Sequence, residues 1–263
     1  RYCPLAKRFA QRRHHRPRRE EAVRPTRRRR VANRRGTDPP KIRGGIDPRG
    51  FRPQVRGRMD AFFAIDKPVG PTSHDVVARI RRAARLRRVG HAGTLDPLAS
   101  GILVVALGNA TRLVEYLTAD DKAYRAVIDF GSETATDDAE GDVTRTGPVD
   151  HLDATAITAA LDAFRGTITQ VPPSYSAISV GGERLHALAR RGVAVEAPPR
   201  QVTIDAIDLI AWEAPRATID IACGKGTYVR SIARDLGVAV GSAAHLAGLR
   251  RTRSGTFRIE DAP

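Results

Sequence analysis

The sequence predicts an α+β fold, a mixed and largely antiparallel sheet with helices packed on it. Three observations lead there. From residue 59 onward, segments of alternating hydrophobicity are interspersed with segments of helical period. Several neighbouring strand segments lie close enough in sequence to pair as hairpins, which favours antiparallel pairing. Apolar residues make up 41% of the 263 positions, enough for a sizeable core. No internal repeat marks the chain as a solenoid or propeller.

The first 58 residues stand apart. They hold 21 of the 45 Lys+Arg but 4 of the 29 Asp+Glu, a net charge of +17. The remaining residues hold 24 and 25 of these, a net of −1, so the chain's overall +16 comes wholly from this segment. It contains the run Arg27–Arg30, no Ser and few large apolar side chains, and is predicted to be disordered. It lacks the apolar centre of a secretory signal and the Ser-rich amphipathic pattern of a mitochondrial presequence. The single methionine, Met59, falls at the composition break, and residue 1 is Arg. Residues 1–58 are therefore read as an upstream frame rather than native protein. The other reading is a basic arm that adds salt-dependent RNA affinity.

The elements follow in order. Phe62–Ile65 is a short strand, broken by Asp66-Lys67-Pro68-Val69-Gly70-Pro71. Thr72 and Asp75 form a capping-box pattern. Val76, Val77, Ile80, Ala83 and Ala84 then recur at helical spacing, with Arg79, Arg82 and Arg85 on the polar side. That side is either a solvated face or one laid along phosphates. Gly90–Gly101 is a loop with three glycines and a proline, followed by the strand Ile102–Leu107. Thr111–Leu117 is helical, Tyr124–Phe130 a strand, and Ala154–Phe164 a helix closed by Gly166. Ile178–Glu183 is a tight hairpin turn, and Glu183–Arg191 a short helix stopped by Gly192. Strands at Val202–Ile210 and Ala217–Cys223 precede a helix at Tyr228–Leu236 ended by Gly237.

Several classes of function drop out. Cys3 and Cys223 make neither a disulfide framework nor a Cys-rich zinc site, and a reducing cytoplasm fits. The longest apolar run, Gly101–Gly108, falls far short of the ~20 residues of a membrane helix. His91 has no partner pattern for metal binding, and no metal or cofactor is expected. Gly224-Lys225-Gly226-Thr227 lacks the spacing of a triphosphate-binding loop.

The loop around Asp96 can carry chemistry. Pro97 holds Asp96 extended, and Gly93 and Gly101 permit close backbone approach. Such a loop can present one carboxylate to a cleft, or Asp96 can simply cap a turn.

Gly90-His91-Ala92-Gly93-Thr94-Leu95-Asp96-Pro97-Leu98-Ala99-Ser100-Gly101 resembles motif II of the TruB family of pseudouridine synthases. Asp66-Lys67-Pro68 with Gly70 and Ser73, then Lys122-Ala123-Tyr124-Arg125, then Gly224-Lys225-Gly226-Thr227-Tyr228-Val229-Arg230 match the same family in the right order. So does Gln170–Ala177, which in the family begins an RNA-gripping insertion, and the final match is Leu249-Arg250-Arg251. The resemblance runs from about Ala61 to Phe257. It implies the pseudouridine-synthase fold for residues 59–263, and conversion of uridine to pseudouridine at position 55 in the TΨC arm of tRNA. It implies Asp96 as the catalytic carboxylate and Tyr124 as a stacking platform for the uracil. Arg230 would pair with Asp96, His91 would contact RNA beside the extruded nucleotide, and Tyr228 and Leu249 would line the base pocket. A monomer with no obligate protein partner and a cytoplasmic location follow from the same resemblance.

These residue types suit that reaction. The N1–C1′ bond breaks, the base turns, and C5 joins C1′, so the product is an isomer and needs no redox partner. A cationic or glycal centre at the sugar calls for an anion or base, as in glycosidases. Burial would raise the pKa of Asp96, and a facing Arg would offset that more effectively than Lys. Flipping the uridine costs on the order of a few kcal/mol, and aromatic stacking returns roughly 1–3 kcal/mol. Arg250, Arg251 and Arg253 form a local basic cluster able to clamp phosphates.

Family members usually continue into a PUA-like C-terminal domain, whereas this sequence stops at Pro263. The expectation is weaker tRNA binding with the chemistry retained. The rival readings are a non-catalytic tRNA-binding or folding module, a hydrolase that releases the base, and a DNA-coating protein resting on residues 1–58.

Overall fold

The computed structural model describes residues 59–176, 178–185, 188, 191 and 197–262. The Arg-rich segment lies outside the described residues, as do residues 186, 187, 189 and 190 of the helix expected at Glu183–Arg191. The first two residues of that expected helix, Glu183 and Arg184, form a strand instead, because they close the hairpin at Gly181-Gly182. The rest is the expected α+β architecture, a nine-stranded mixed sheet with helices on it.

The chain enters through β1 (Ala61–Lys67) and turns into α1 (Ser73–Ala84). Thr72 caps α1 as expected: its hydroxyl accepts from the Asp75 amide at 3.1 Å, and the Asp75 carboxylate accepts from the Thr72 amide at 2.9 Å. Val76 and Val77 are buried, but Ala83 and Ala84 face solvent, so the apolar stripe is shorter than its sequence pattern. Two strands follow, β2 (Val89–Ala92) and β3 (Ala99–Leu107). The glycine-rich stretch expected to be wholly loop thus begins in a strand. β2 pairs with the far half of β3, from Val104 to Leu107. Every residue of β3 except Ser100 is buried. A strand covered on both faces reads as a continuous apolar run, which is why it was easy to see in the sequence.

A 3-10 turn (Gly108–Leu113) leads into α2 (Val114–Ala119), dividing what the sequence presents as one helix. Then come β4 (Lys122–Phe130), the small hairpin β5 (Ser132–Thr134) and β6 (Val143–Thr146), and α3 (Ala154–Leu161). β7 (Gly166–Gln170) opens on Gly166 at φ +81°, just past the helix it was expected to close. The tight turn at Gly181-Gly182 joins β8 (Ser179–Val180) to β9 (Glu183–Arg184), with both glycines at positive φ.

Long strands β10 (Arg200–Glu213) and β11 (Arg216–Cys223) pair antiparallel. Helix α4 (Val229–Ala239) does not stop at Gly237. A Cβ there would lie 2.5 Å from the Ala244 amide nitrogen, so glycine at this position allows helix and strand to touch. The touching strand, β12 (Ala244–Ser254), and the short β13 (Phe257–Arg258) were not read from the sequence.

The strand order is β1-β3-β12-β4-β11-β10-β7, with β2 on β3 and β13 on β12. All pairings in this sheet are antiparallel except β3 with β12. One core lies where α3 and α4 cover the β4–β10–β11–β12 part, around Ile128, Ile157, Ile204, Ile219, Ile232 and Leu236. A second lies under α1, around Val77, Leu103 and Val105. Each such side chain contributes roughly 1.5–3 kcal/mol on burial. No helix among the described residues is long and apolar enough to cross a membrane.

The parallel pair sets Leu249–Arg251 beside Ala99–Gly101. Gly101 sits at φ +98°, and a Cβ on it would lie 2.2 Å from the Arg251 carbonyl oxygen. Gly101→Ala should therefore cost about 3 kcal/mol or more, from both backbone strain and the collision. Gly181→Ala, at φ +61° with open space, should cost only about 1 kcal/mol. Urea unfolding midpoints of the two variants check this difference.

Candidate active site

Residues 93–98 form a loop fixed from two sides. On one, the Ser73 hydroxyl donates to the Leu95 carbonyl at 3.1 Å and accepts from its amide at 2.9 Å. Leu95 is buried, so the chain's turn at Pro97 leaves Asp96 toward open space. Backbone bonds from Gly70 to Pro97 and from Ala99 to Asp96 close the loop. On the other side lies Arg251, almost completely buried. Its Nε donates to the Ile102 carbonyl at 2.6 Å and its Nη2 to the Gly93 carbonyl at 3.1 Å. Gly93, at φ +77°, leaves room for that guanidinium.

Arg230 approaches from the first turn of α4. Its side chain is 8% exposed, and Nη2 lies 3.1 Å from the Asp96 carboxylate, which is 42% exposed. The same guanidinium donates to the carbonyls of Thr136 at 3.0 Å and Tyr175 at 3.1 Å. A second carboxylate, Asp138, stands 3.4 Å from Nη1. Asp138 is itself buried and accepts from the Thr136 hydroxyl at 2.5 Å and the Glu140 amide at 3.1 Å. The sequence reading missed Asp138. Its only signal was the acidic run Asp137-Asp138-Ala139-Glu140, which looks like any solvated turn.

Two lysines complete the surroundings. Lys67 is fully buried, and its ammonium donates to the Pro68 and Pro71 carbonyls at 2.9 and 2.8 Å. Burial lowers its pKa, opposed by the Asp96 carboxylate and reinforced by the Arg251 charge. Lys122 donates to the Thr118 carbonyl at 2.6 Å and to that of Asp120, and burial lowers its pKa as well. Asp96 thus sits among cations whose hydrogen bonds go largely to backbone carbonyls.

Gln170, at the end of β7, holds the approach to α4. Its amide donates to the Tyr228 carbonyl at 3.1 Å and accepts from the Tyr228 backbone N–H at 2.8 Å. Tyr228 is thereby fixed just before the helix, with the Arg200 guanidinium 4.6 Å from its ring centroid.

These elements enclose a cleft of about 640 Å³, a size suited to a nucleotide-sized ligand. Asp96, Tyr124, Tyr228, Arg230 and Leu249 all line it. Burial raises the pKa of the Tyr124 phenol, which keeps it protonated and neutral. His91 does not line the cleft. Its ring meets His74 edge-on with centroids 5.3 Å apart, and its buried Nδ1 has no hydrogen-bond partner among the described residues. Burial, then the His74 charge, lowers its pKa and favours the neutral ring.

The basic cluster near the end of the chain is not presented as a phosphate clamp. Arg251 is buried, Arg250 pairs with both oxygens of Asp66 at 3.1 and 2.6 Å, and Arg253 donates to the Gly255 carbonyl. The polar residues of β12 hide the strand in the sequence, so pattern alone does not separate its inward-facing side chains from its outward ones.

Asp137, beside Asp138, is buried at φ +60° with the Arg234 guanidinium 2.7 Å away. Burial pushes its pKa up to about 6, against the pull of Arg234 and Arg230. An unfolded Asp titrates near ~3.9, so the folded state holds this proton more tightly. Its contribution to stability is present below the unfolded pKa and is lost as pH rises through about 6. Asp137→Asn removes the titration and suits the left-handed backbone. From pH 4 to 8, wild type should lose about 2 kcal/mol relative to the variant, read by urea unfolding across that range.

A family model described as TruB family pseudouridylate synthase (N terminal domain) matches residues 81–229. The tRNA pseudouridine synthase B of Gloeobacter violaceus is 53% identical over 206 residues, 77% of this chain and 70% of that protein. That of Syntrophotalea carbinolica is 48% identical over 204 residues, 78% and 67% of the two chains. That of Mycolicibacterium paratuberculosis is 52% identical over 205 residues, 76% and 70%. In the crystal structure of a Cbf5-Nop10-Gar1 complex, a chain superimposes with TM-score 0.60 at 32% identity, covering 82% of this chain. This chain spans 57% of that one.

Proposed function

The chain belongs to the TruB family of pseudouridylate synthases, and from that premise we propose that it converts uridine to pseudouridine in tRNA, at position 55 of the TΨC arm, with Asp96 as the acting carboxylate. The enzyme is an isomerase of tRNA uridine. The observation that carries the assignment to Asp96 is its approach to Arg230, 3.1 Å away, at the open side of a cleft that Tyr124 also lines.

Arg230 holds the Asp96 carboxylate as an anion at the mouth of the cleft. Two routes start from the Asp96 carboxylate: attack at C1′ of the sugar, or removal of a proton beside it. Both need the ionised form, and both are served by a guanidinium held against it. The base, once detached, must turn without leaving. Tyr124, Tyr228 and Leu249 supply flat and apolar walls for it, and stacking on one aromatic is worth roughly 1–3 kcal/mol. His91 stands outside these walls, on β2, where contact with RNA next to the extruded nucleotide is the reading that fits.

Asp96→Asn should abolish product, a loss of about 10⁴-fold or more in single-turnover rate, while tRNA binding stays within a few-fold. Position-resolved pseudouridine mapping on unmodified tRNA reads the first, and filter binding the second. A non-catalytic tRNA-binding module would leave the unsubstituted chain without product, and a base-releasing hydrolase would yield free uracil. Conversion at a uridine other than 55 would reject the assigned target.

Arg230→Lys keeps the charge but cannot reach Asp96, Asp138 and two carbonyls together. It should lower the same rate by about 10²-fold or more. Tyr124→Phe should retain far more activity than Tyr124→Ala, because the ring face does the stacking.

A further inference from the structure

Beyond Gly226 the catalytic cleft gives way to a second recess of about 460 Å³. The two share Thr118 and Gly226 in their walls, so they adjoin. Two cations, Arg200 and Lys225, and one carboxylate, Glu115, line the recess.

Neither Arg200 nor Lys225 makes an ion pair or a hydrogen bond with a described residue. Four other buried or half-buried arginines among the described residues, Arg230, Arg234, Arg250 and Arg251, each donate to at least two partners. Arg200 differs: its Nε and Nη2 are buried with no hydrogen-bond partner among the described residues, and its guanidinium carbon stands 4.6 Å over the face of Tyr228. A half-buried guanidinium with vacant donors is costly, and an arriving anion would remove that cost. Lys225 is exposed on the Gly224–Thr227 turn beside it.

The position matters as much as the charge. Arg200 packs on one face of Tyr228, and Tyr228 lines the cleft assigned to the flipped base. An RNA strand whose uridine enters that cleft must leave its neighbouring backbone nearby, and the recess opens next door.

We propose that this recess is a subsite for a phosphodiester flanking the target uridine, held by Arg200 and Lys225. The proposal rests on the function assigned above and extends it to the backbone of the substrate. Arg200 would then couple the two places, since the group that takes the phosphate also supports the Tyr228 wall.

The test uses the full chain carrying Asp96→Asn, a TΨC stem-loop RNA and a salt series. Adding Lys225→Ala should weaken binding about 5–10-fold near 0.15 M salt. It should also flatten the plot of log affinity against log salt by about 0.7–0.9, the contribution of one phosphate. Arg200→Gln should do the same. Arg216→Ala, at the other end of β11, should change neither quantity. RNA with a neutral methylphosphonate in place of the correct flanking phosphate should lose the same factor against the parent protein and nothing more against Lys225→Ala. Parental affinity and slope in both Lys225→Ala and Arg200→Gln would overturn the subsite. So would methylphosphonate losses that multiply with theirs at every flanking phosphate. Pseudouridine formation by the unsubstituted chain on the same RNA keeps the two levels apart. Product formed without any of these losses rejects the subsite alone, whereas absence of product rejects the enzymatic reading and the subsite with it.

Discussion

Arg230 is the junction on which the site depends. One guanidinium, almost wholly removed from solvent, meets Asp96 on the loop of residues 93–98, Asp138 and the Thr136 carbonyl on the turn after β5, and the Tyr175 carbonyl beyond β7. Four parts of the chain that are remote in sequence thereby share a single charge. A buried ion of this kind costs several kcal/mol to desolvate, and only a full set of partners offsets it. The arrangement therefore does more for uniqueness of structure than for stability. Removing any one partner leaves charge without compensation, and the cleft would relax to recover it.

The same logic extends to the other cations around Asp96. Arg251 and Lys67 are buried, yet their hydrogen bonds go to backbone carbonyls. Each cation ties down main chain and at the same time contributes a fixed positive field near the carboxylate. A field that is already oriented needs no rearrangement during reaction, which is where preorganised sites gain their advantage. The hydroxyl of Ser73 belongs with them. By bonding both backbone groups of Leu95, it fixes the residue immediately before Asp96.

Segments whose physics is local were legible in the sequence. The capping box at Thr72, the apolar run of β3, the alternation in β4 and the Gly181-Gly182 turn all follow from short-range pattern, and all are present. The pairing of Asp96 with Arg230 was reached through motif resemblance and agrees with the geometry. What escaped was decided by tertiary contact. The strand β12 carries Arg250, Arg251 and Arg253, so its polarity hides it, and Arg251 is acceptable inside only because Ile102 and Gly93 offer carbonyls. Gly237 looks like a helix stop, but its lack of a side chain serves the close passage of β12. Asp138 resembles a surface acid until Arg230 is brought to it, and no spacing rule connects two residues that far apart.

The parallel pairing of β3 with β12 also bears on how the molecule comes into being. Residues 99–101 find their partners at 249–251, so the strand that sits beside the Asp96 loop is synthesised long after it. Loops of that span are slow to close, and chains emerge from the ribosome at only ~5–20 residues per second. For several seconds β3 and β4 must exist without the strand that separates them in the finished sheet, each with a row of backbone N–H and C=O groups unpaired. Insertion of β12 is also what seats Arg251 against the Gly93 carbonyl. A nascent chain of this protein passes through a period of vulnerability to aggregation, and it gains a working centre only at its close.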